Sequence, residues 1–296
     1  MKLQKYIFAS LIALGISSCS QDAPDARLSV TPDKTEVKAG EAVNFHISGK
    51  ADNIVFYSGE SGHEYDLRDR EYADNDLIVD FVSYTDYLTY VHPNLQILIS
   101  SDFNGIYDAE NLAQATWTDV TDQFQMPAET GKNTPSGEIN LKKFVSGDND
   151  ALFYIAFRYF DLDGVALRNR WVIRSMNIRK VSPEGQSTLL ADIKTAGWQN
   201  VTVSGSAKWT LPGTQLLATG NVNTNDKDIW AVSKGYNLRS AEASTGVVLK
   251  NISTVVSDYQ HTYTTPGTYE AVFASSSVWY NSSSHSTTRV KVTVTE

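Results

Sequence analysis

Residues 28–60 read LSVTPDKTEVKAGEAVNFHISGKADNIVFYSGE, and residues 261–273 read HTYTTPGTYEAVF. Within Glu41–Ile47, Val43, Phe45 and Ile47 alternate with polar neighbours, the period of a half-buried strand. Arg289–Thr295 repeats the alternation with Val290, Val292 and Val294. Leu152–Phe160 (LFYIAFRYF) is apolar on both faces and reads as the central strand of a sandwich. Trp171–Val181, Asn53–Tyr57, Leu95–Ser100 and Asn200–Val203 read as further strands. Turn signals separate them at Ser61-Gly62, Ser146-Gly147-Asp148, Asp163-Gly164, Pro183-Glu184-Gly185 and Pro212-Gly213. The one helical hint is Asp108–Ala115, where Asp108 can cap a turn or two. Short strands at regular spacing predict an all-β protein made of sandwiches.

The chain has 296 residues, enough for one large or two ordinary domains. With 41% hydrophobic and 20% charged residues it has the composition of a folded chain, not a disordered one. A net charge of -9 and the absence of any Lys/Arg run argue against a nucleic-acid partner.

The two quoted stretches resemble the two halves of a PKD-type immunoglobulin-like domain. Val37-Lys38-Ala39-Gly40-Glu41 enters a strand, and the next strand ends at Gly59. Val55-Phe56-Tyr57-Ser58-Gly59-Glu60 stands where that family has a Trp-Asp-Phe-Gly-Asp-Gly pattern, a departure. The second half, His261-Thr262-Tyr263 followed by Pro266-Gly267-Thr268-Tyr269, comes only about two hundred residues later. Half a sandwich leaves an open core and an unpaired edge, and loop tips tolerate insertion. The expectation is therefore one PKD/Ig-like domain split over residues 27–76 and 252–296, with residues 77–251 inserted.

The inserted stretch is similar to jelly-roll domains of the cleaved-adhesin and choice-of-anchor kind, relatives of carbohydrate-binding sandwiches. The resemblance rests on Ile99–Gly105, Ala115–Val120, Ser136–Leu141, Tyr154–Tyr159, Trp171–Ile173 and Asp228–Ser233, in that order.

Residues 1–19 read MKLQKYIFASLIALGISSC. Lys2 and Lys5 precede a short apolar run, Ile7–Ile16, as in a signal peptide. Ile16-Ser17-Ser18-Cys19 resembles a lipobox, which implies a signal peptide over 1–18, lipidation at Cys19 and a lipidated tether over 19–26. Asp22 and Asp25 behind the Cys resemble surface-export signals, so an outer-membrane, lipid-anchored, cell-surface location is expected. Cys19 is the only cysteine, which leaves the mature fold without an intramolecular disulfide. Taken whole, the lipobox together with Phe56–Glu60 and Glu64-Tyr65 resembles a Bacteroidetes outer-membrane lipoprotein family built on a domain of unknown function. That resemblance implies association with SusC/SusD-like glycan-uptake systems.

Catalytic motifs are absent from the sequence. The five histidines (His46, His63, His92, His261, His285) have no metal-ligand spacing, and there is no H-E-x-x-H, G-x-S-x-G or P-loop. No matched pair stands out among the 34 carboxylates for glycoside hydrolysis. A non-enzymatic protein is expected, with no cofactor beyond a candidate structural calcium. The oxygen-rich turns Asp102, Asn104 and Asp108, and Asp161 and Asp163, are the calcium candidates, although Asp and Asn also shape turns through their own backbone. Sugar binding stacks aromatic rings on sugar faces. Trp279 and Tyr280, in the polar, turn-like Ser/Asn-rich loop Ser275–Ser286, are candidates, as are Trp198, which follows Gly197 in a loop, and Tyr84, Tyr87 and Tyr90, spaced three apart. Trp117, Trp171 and Trp230 are assigned to the core. The expected function is a surface module that binds glycan. Adhesin-like binding of a protein partner and glycan or ester hydrolysis are the alternatives.

Overall fold

The computed structural model describes residues 22–88, 94–162, 169–218 and 227–296. The leading segment forms β1 (Arg27–Pro32), β2 (Glu36–Lys38), β3 (Ala42–Lys50) and β4 (Asn53–Tyr57). Next come β5 (Asp76–Asp86), β6 (Leu95–Ser100), α1 (Ala109–Gln114), β7 (Thr118–Asp119), β8 (Thr134–Pro135), β9 (Ile139–Asn140) and β10 (Leu152–Phe160). They are followed by β11 (Arg170–Val181), β12 (Ser187–Asp192), β13 (Gln199–Ser204), β14 (Leu216–Ala218), β15 (Asp228–Val232) and β16 (Tyr236–Asn237). The trailing segment gives β17 (Val247–Lys250), β18 (Asp258–Thr262), β19 (Gly267–Val278) and β20 (Ser283–Thr295). The fold is all-β, of sandwich-like sheets.

Two compact units result. The chain up to Asp66 together with Thr245–Glu296 is one, and Leu67–Ser244 is the other. The divisions fall earlier than the expected 76/77 and 251/252. Residues 67–76 join the second unit because Ala73 N–H donates to Arg239 O at 2.8 Å and Tyr72 bridges Ser240. Residues 247–250 join the first because β17 pairs with β4.

The first unit has a three-stranded sheet, β1-β3-β18, and a five-stranded one, β17-β4-β19-β20-β2. The period-two positions supply its core: Val43, Phe45 and Ile47 from β3, Ile54 and Phe56 from β4, Phe273 from β19, and Val292 from β20. Phe273 lies 5.2 Å from Phe45 and 5.0 Å from Phe56, centroid to centroid. Gly59 lets the chain leave β4 against the β19 backbone. Its φ is +81°, and a Cβ there would stand 2.6 Å from Glu270 O.

One expectation is corrected in this unit. The Ser/Asn-rich stretch Ser275–Ser286 is strand, not loop, except at residues 279–282. Ser275 and Ser277 are buried on the inward face, and Ser275 Oγ donates to Ser286 O at 3.2 Å, so the ladder continues through polar side chains. Trp279 N–H donates to Ser282 O at 2.9 Å and closes the hairpin. Residues 22–26, in the stretch expected to be a tether, lie against the β19–β20 hairpin. Ala26 is buried and its N–H donates to Ser284 Oγ at 3.0 Å, while Ala23 N–H donates to Ser282 Oγ at 2.5 Å.

In the second unit one sheet runs β13-β15-β10-β6-β7, with β16 on β10. The other runs β12-β11-β5-β8, with β14 on β11 and β9 on β5. Strand β10 is apolar on both faces because both are covered. Ile155 and Phe157 enter the main core, while Tyr154 and Ala156 meet Phe103, Leu112 and Trp230 in a second cluster. Helix α1 carries Leu112 into that cluster and is capped by Asp108, whose carboxylate accepts from Asn111 N–H at 2.8 Å.

The ends of the inserted unit meet, since Ser244 N–H donates to Leu67 O at 3.1 Å. Each unit has a core of its own. Replacing residues 67–244 by a Gly/Ser linker of about four residues, a common connection length, is expected to leave a chain that unfolds cooperatively and gives dispersed amide NMR signals. A molten or insoluble product would contradict the split architecture.

Candidate ligand-binding site

Strands β5 and β11 pair antiparallel along their whole length, with Arg170 opposite Asp86 and Val172 opposite Tyr84. Alternation sends Phe81 and Ser83 of β5 inward and leaves Tyr84 and Asp86 half-buried on the outer face. The register breaks between Ile173 and Ser175, which makes Arg174 the extra residue of a β-bulge. The bulge re-aims this exposed side chain, whose guanidinium carbon lies 4.9 Å from the centroid of the Tyr84 ring.

A second arginine meets the same tyrosine from the side. Arg170 Nη2 donates to the Tyr84 hydroxyl at 3.3 Å, and its Nε lies 3.3 Å from Asp86 Oδ2. The Tyr84 hydrogen bond, with the Asp86 charge behind it, raises the Arg170 pKa above its ordinary value against the opposing effect of burial. Arg174 faces no carboxylate within ion-pair distance among the described residues. Tyr87 continues the patch. It is 63% exposed and, at φ +56°, is the one non-glycine among the described residues in the left-handed region. Such backbone conformations cost about 1–3 kcal/mol and cluster at ligand sites. The face thus presents aromatic rings, two guanidinium groups and a carboxylate, a set suited to holding hydroxyl and carboxylate oxygens.

The other sequence candidates are dispersed. Trp198 packs against Phe157 at 5.6 Å between centroids, and its indole N–H donates to Ile193 O at 3.1 Å, so it walls the core. Trp171 and Trp230 are buried, and Trp117 is partly buried against Trp230. Trp279 and Tyr280 sit in the first unit, at the tip of the β19–β20 hairpin. Asp102, Asn104 and Asp108 share one loop, but their oxygens serve the chain. Asp102 accepts from Ser100 Oγ and Thr116 N–H, both at 2.8 Å. Burial pushes its carboxyl up, and these hydrogen bonds outweigh it and hold the pKa below the usual carboxylate value. Asn104 accepts from Ile106 N–H at 2.9 Å. Asp161 accepts from Lys227 N–H at 3.2 Å. Among the described residues no group of three His, Cys, Asp or Glu is placed to hold a metal ion. Cys19, Tyr90, His92 and Asp163 lie outside the described residues.

A family model described as a domain of unknown function, DUF5017, matches residues 17–198, more than half of the chain. The chain belongs to this family. The DUF5017 match takes in β1–β4 and continues through β12, so it includes Tyr84, Asp86, Tyr87, Arg170 and Arg174. The β19–β20 hairpin lies beyond it. No curated protein matches the chain.

Arg170, Arg174 and Asp86 are members of the site that were not among the sequence candidates. One signal for Arg174 is present in the sequence. Arg174-Ser175 is a polar pair that separates the apolar run Trp171–Ile173 from the alternation beginning at Met176, a mark of a bulge.

The different surroundings of the two aromatic candidates give different stabilities. Trp198→Ala is expected to lower unfolding free energy by about 3–5 kcal/mol. Tyr84→Ala should lower it by about 1 kcal/mol or less, as for a surface cross-strand pair. Urea unfolding of both variants measures this, and equal losses would contradict the assignment of Trp198 to the core.

Proposed function

We propose that the protein is a lipid-anchored binding protein of the outer-membrane surface that captures glycan for a polysaccharide uptake system. Its binding face is the outer face of β5 and β11. The observation that carries this reading is the placement of Arg174 by a bulge over Tyr84, beside Arg170, Asp86 and the strained Tyr87. Sugars are held by rings that cover their apolar faces and by charged groups that bond their hydroxyls. An exposed arginine without a carboxylate partner among the described residues favours saccharides that carry carboxylates. The role proposed is capture, for which the described residues of the face offer donors, acceptors and rings.

A second reading is favoured by one feature. β17 is an outer strand of its sheet, and Val247 and Val248 are exposed on it, a template for strand addition by a protein partner.

The mature chain screened on a polysaccharide array, with and without calcium, tests the main reading. Binding to uronic-acid polymers is expected, with a loss of about tenfold or more in Tyr84→Ala and Arg174→Ala, the scale of a strong contact in a binding hot spot. An unchanged affinity in both variants would remove the site from this face. A blank array with recovery of an outer-membrane protein in pull-downs would favour the second reading.

A further inference from the structure

We propose that the tip of the β19–β20 hairpin is a membrane-contact site that seats the first unit on the lipid interface beside its own anchor. This inference rests on the lipidation of Cys19 proposed above and adds to it a protein surface with a defined role.

The tip carries Val278, Trp279 and Tyr280 in succession, all exposed, with Tyr280 fully so. A turn of a small soluble sandwich ordinarily takes Gly, Asn, Asp or Ser at such positions. Two interfacial aromatics and a Val in their place need a reason. Tryptophan and tyrosine are enriched where a membrane meets water, because their rings enter the acyl boundary while their polar edges stay wet. Trp279 is built in this way, with its indole N–H donating to Asp52 Oδ2 at 3.3 Å at the base of the tip.

The second observation is where the chain enters this unit. Ala23 N–H donates to Ser282 Oγ within the hairpin turn, and Ala26 is buried with its N–H on Ser284 Oγ. Cys19 stands four residues before Ala23. Four residues of fully extended chain span at most about 14 Å. A lipid on Cys19 therefore keeps Ser282, and the tip beside it, within about that distance of the bilayer surface, roughly twice the depth of one headgroup layer. The tether is too short to carry this end of the unit away from the membrane.

The third observation is a groove at the same end. It has a volume of about 460 Å³ and is lined by Pro24, Asp52, Lys250, Val255 and Ser277, among others. Val255 is 94% exposed, and Ile252 in the same loop is also exposed. Apolar side chains thus converge at the place where the anchor emerges. The nearby charges are of both signs: Asp25, Arg27, Lys50 and Asp52. Contact is consequently apolar and interfacial, and it does not require anionic lipid. Glu41, at the other end of β3, is roughly 30 Å away along a nine-residue strand.

The full-length chain, made in a bacterium that processes lipoproteins and placed in phosphatidylethanolamine/phosphatidylglycerol vesicles, tests the proposal. Mass spectrometry reports the lipid on Cys19. An environment-sensitive fluorophore is attached at Asn281→Cys in one preparation and at Glu41→Cys in another. Nitroxide-labelled lipid is expected to quench the probe at 281 about twofold or more, as for interfacial burial, and to leave the probe at 41 unchanged. Adding Trp279→Ser and Tyr280→Ser should abolish the quenching at 281 while Cys19 remains lipidated. Equal quenching at the two positions on a lipidated chain would overturn the membrane contact and leave the anchor standing. The contact is likewise overturned if a soluble glycan or protein, and not lipid, shifts the probe at 281. An unmodified Cys19 would overturn both the anchor and this contact, while the glycan-binding face on β5 and β11 would be tested separately by the array.

Discussion

Phe273 packs at 5.2 Å on Phe45 and at 5.0 Å on Phe56, so that the end of the chain completes a core begun near its start. The constraint behind this contact is that neither segment has two hydrophobic faces to close on one another. Strand β4 carries Ile54 and Phe56 inward and finds partners on both sides only in the trailing segment, where β19 and β17 flank it. Gly59 is required at the point where the chain leaves β4, because a side chain there would collide with the Glu270 backbone. The inserted unit is compatible with this arrangement because its ends are bonded together at Leu67 and Ser244. The first unit therefore needs to leave only a narrow gap in its own chain. The DUF5017 match runs through β4 into the inserted unit, which makes the junction part of what the family model describes.

Much of the fold was legible because apolar residues at period two mark an inward face. Asn53–Tyr57, Leu95–Ser100 and Leu152–Phe160 are strands with the predicted bounds, and Asp108 caps a helix of six residues. Where the reading fails, the causes are physical. Asp76–Asp86 is hard to read as a strand because Ile78 and Val82 blur the alternation of Leu77, Val79 and Phe81, and the inward positions then continue as Ser83 and Thr85. The same substitution of buried serines for apolar residues disguises the outer half of the β19–β20 hairpin as a loop. Buried hydroxyls that bond backbone carbonyls extend a ladder without any hydrophobic signal.

Less of the candidate site could be read. Tyr84 and Tyr87 are visible in the sequence as tyrosines spaced three apart, whereas Arg170 and Arg174 reach Tyr84 across a strand pairing that only the fold specifies. Trp198 illustrates the converse. A tryptophan after a glycine reads as a loop residue, yet its ring closes the core and its N–H is satisfied by Ile193. The Asp and Asn residues of the 102–108 loop are occupied by turn-shaping hydrogen bonds, the role in which oxygen-rich loops most resemble calcium sites in sequence. The two proposed sites differ in chemistry: a polar aromatic patch on one unit and an apolar hairpin tip on the other.

The shared core of the first unit underlies the division of the chain into two units. A double-mutant cycle on Phe45→Leu and Phe273→Leu, followed by denaturant unfolding monitored within that unit, measures it directly. The account predicts that the two losses fail to add by about 0.5–1.5 kcal/mol, the coupling of an aromatic pair in contact. Additive losses would mean that the leading and trailing segments do not share a core, and the split sandwich would be wrong.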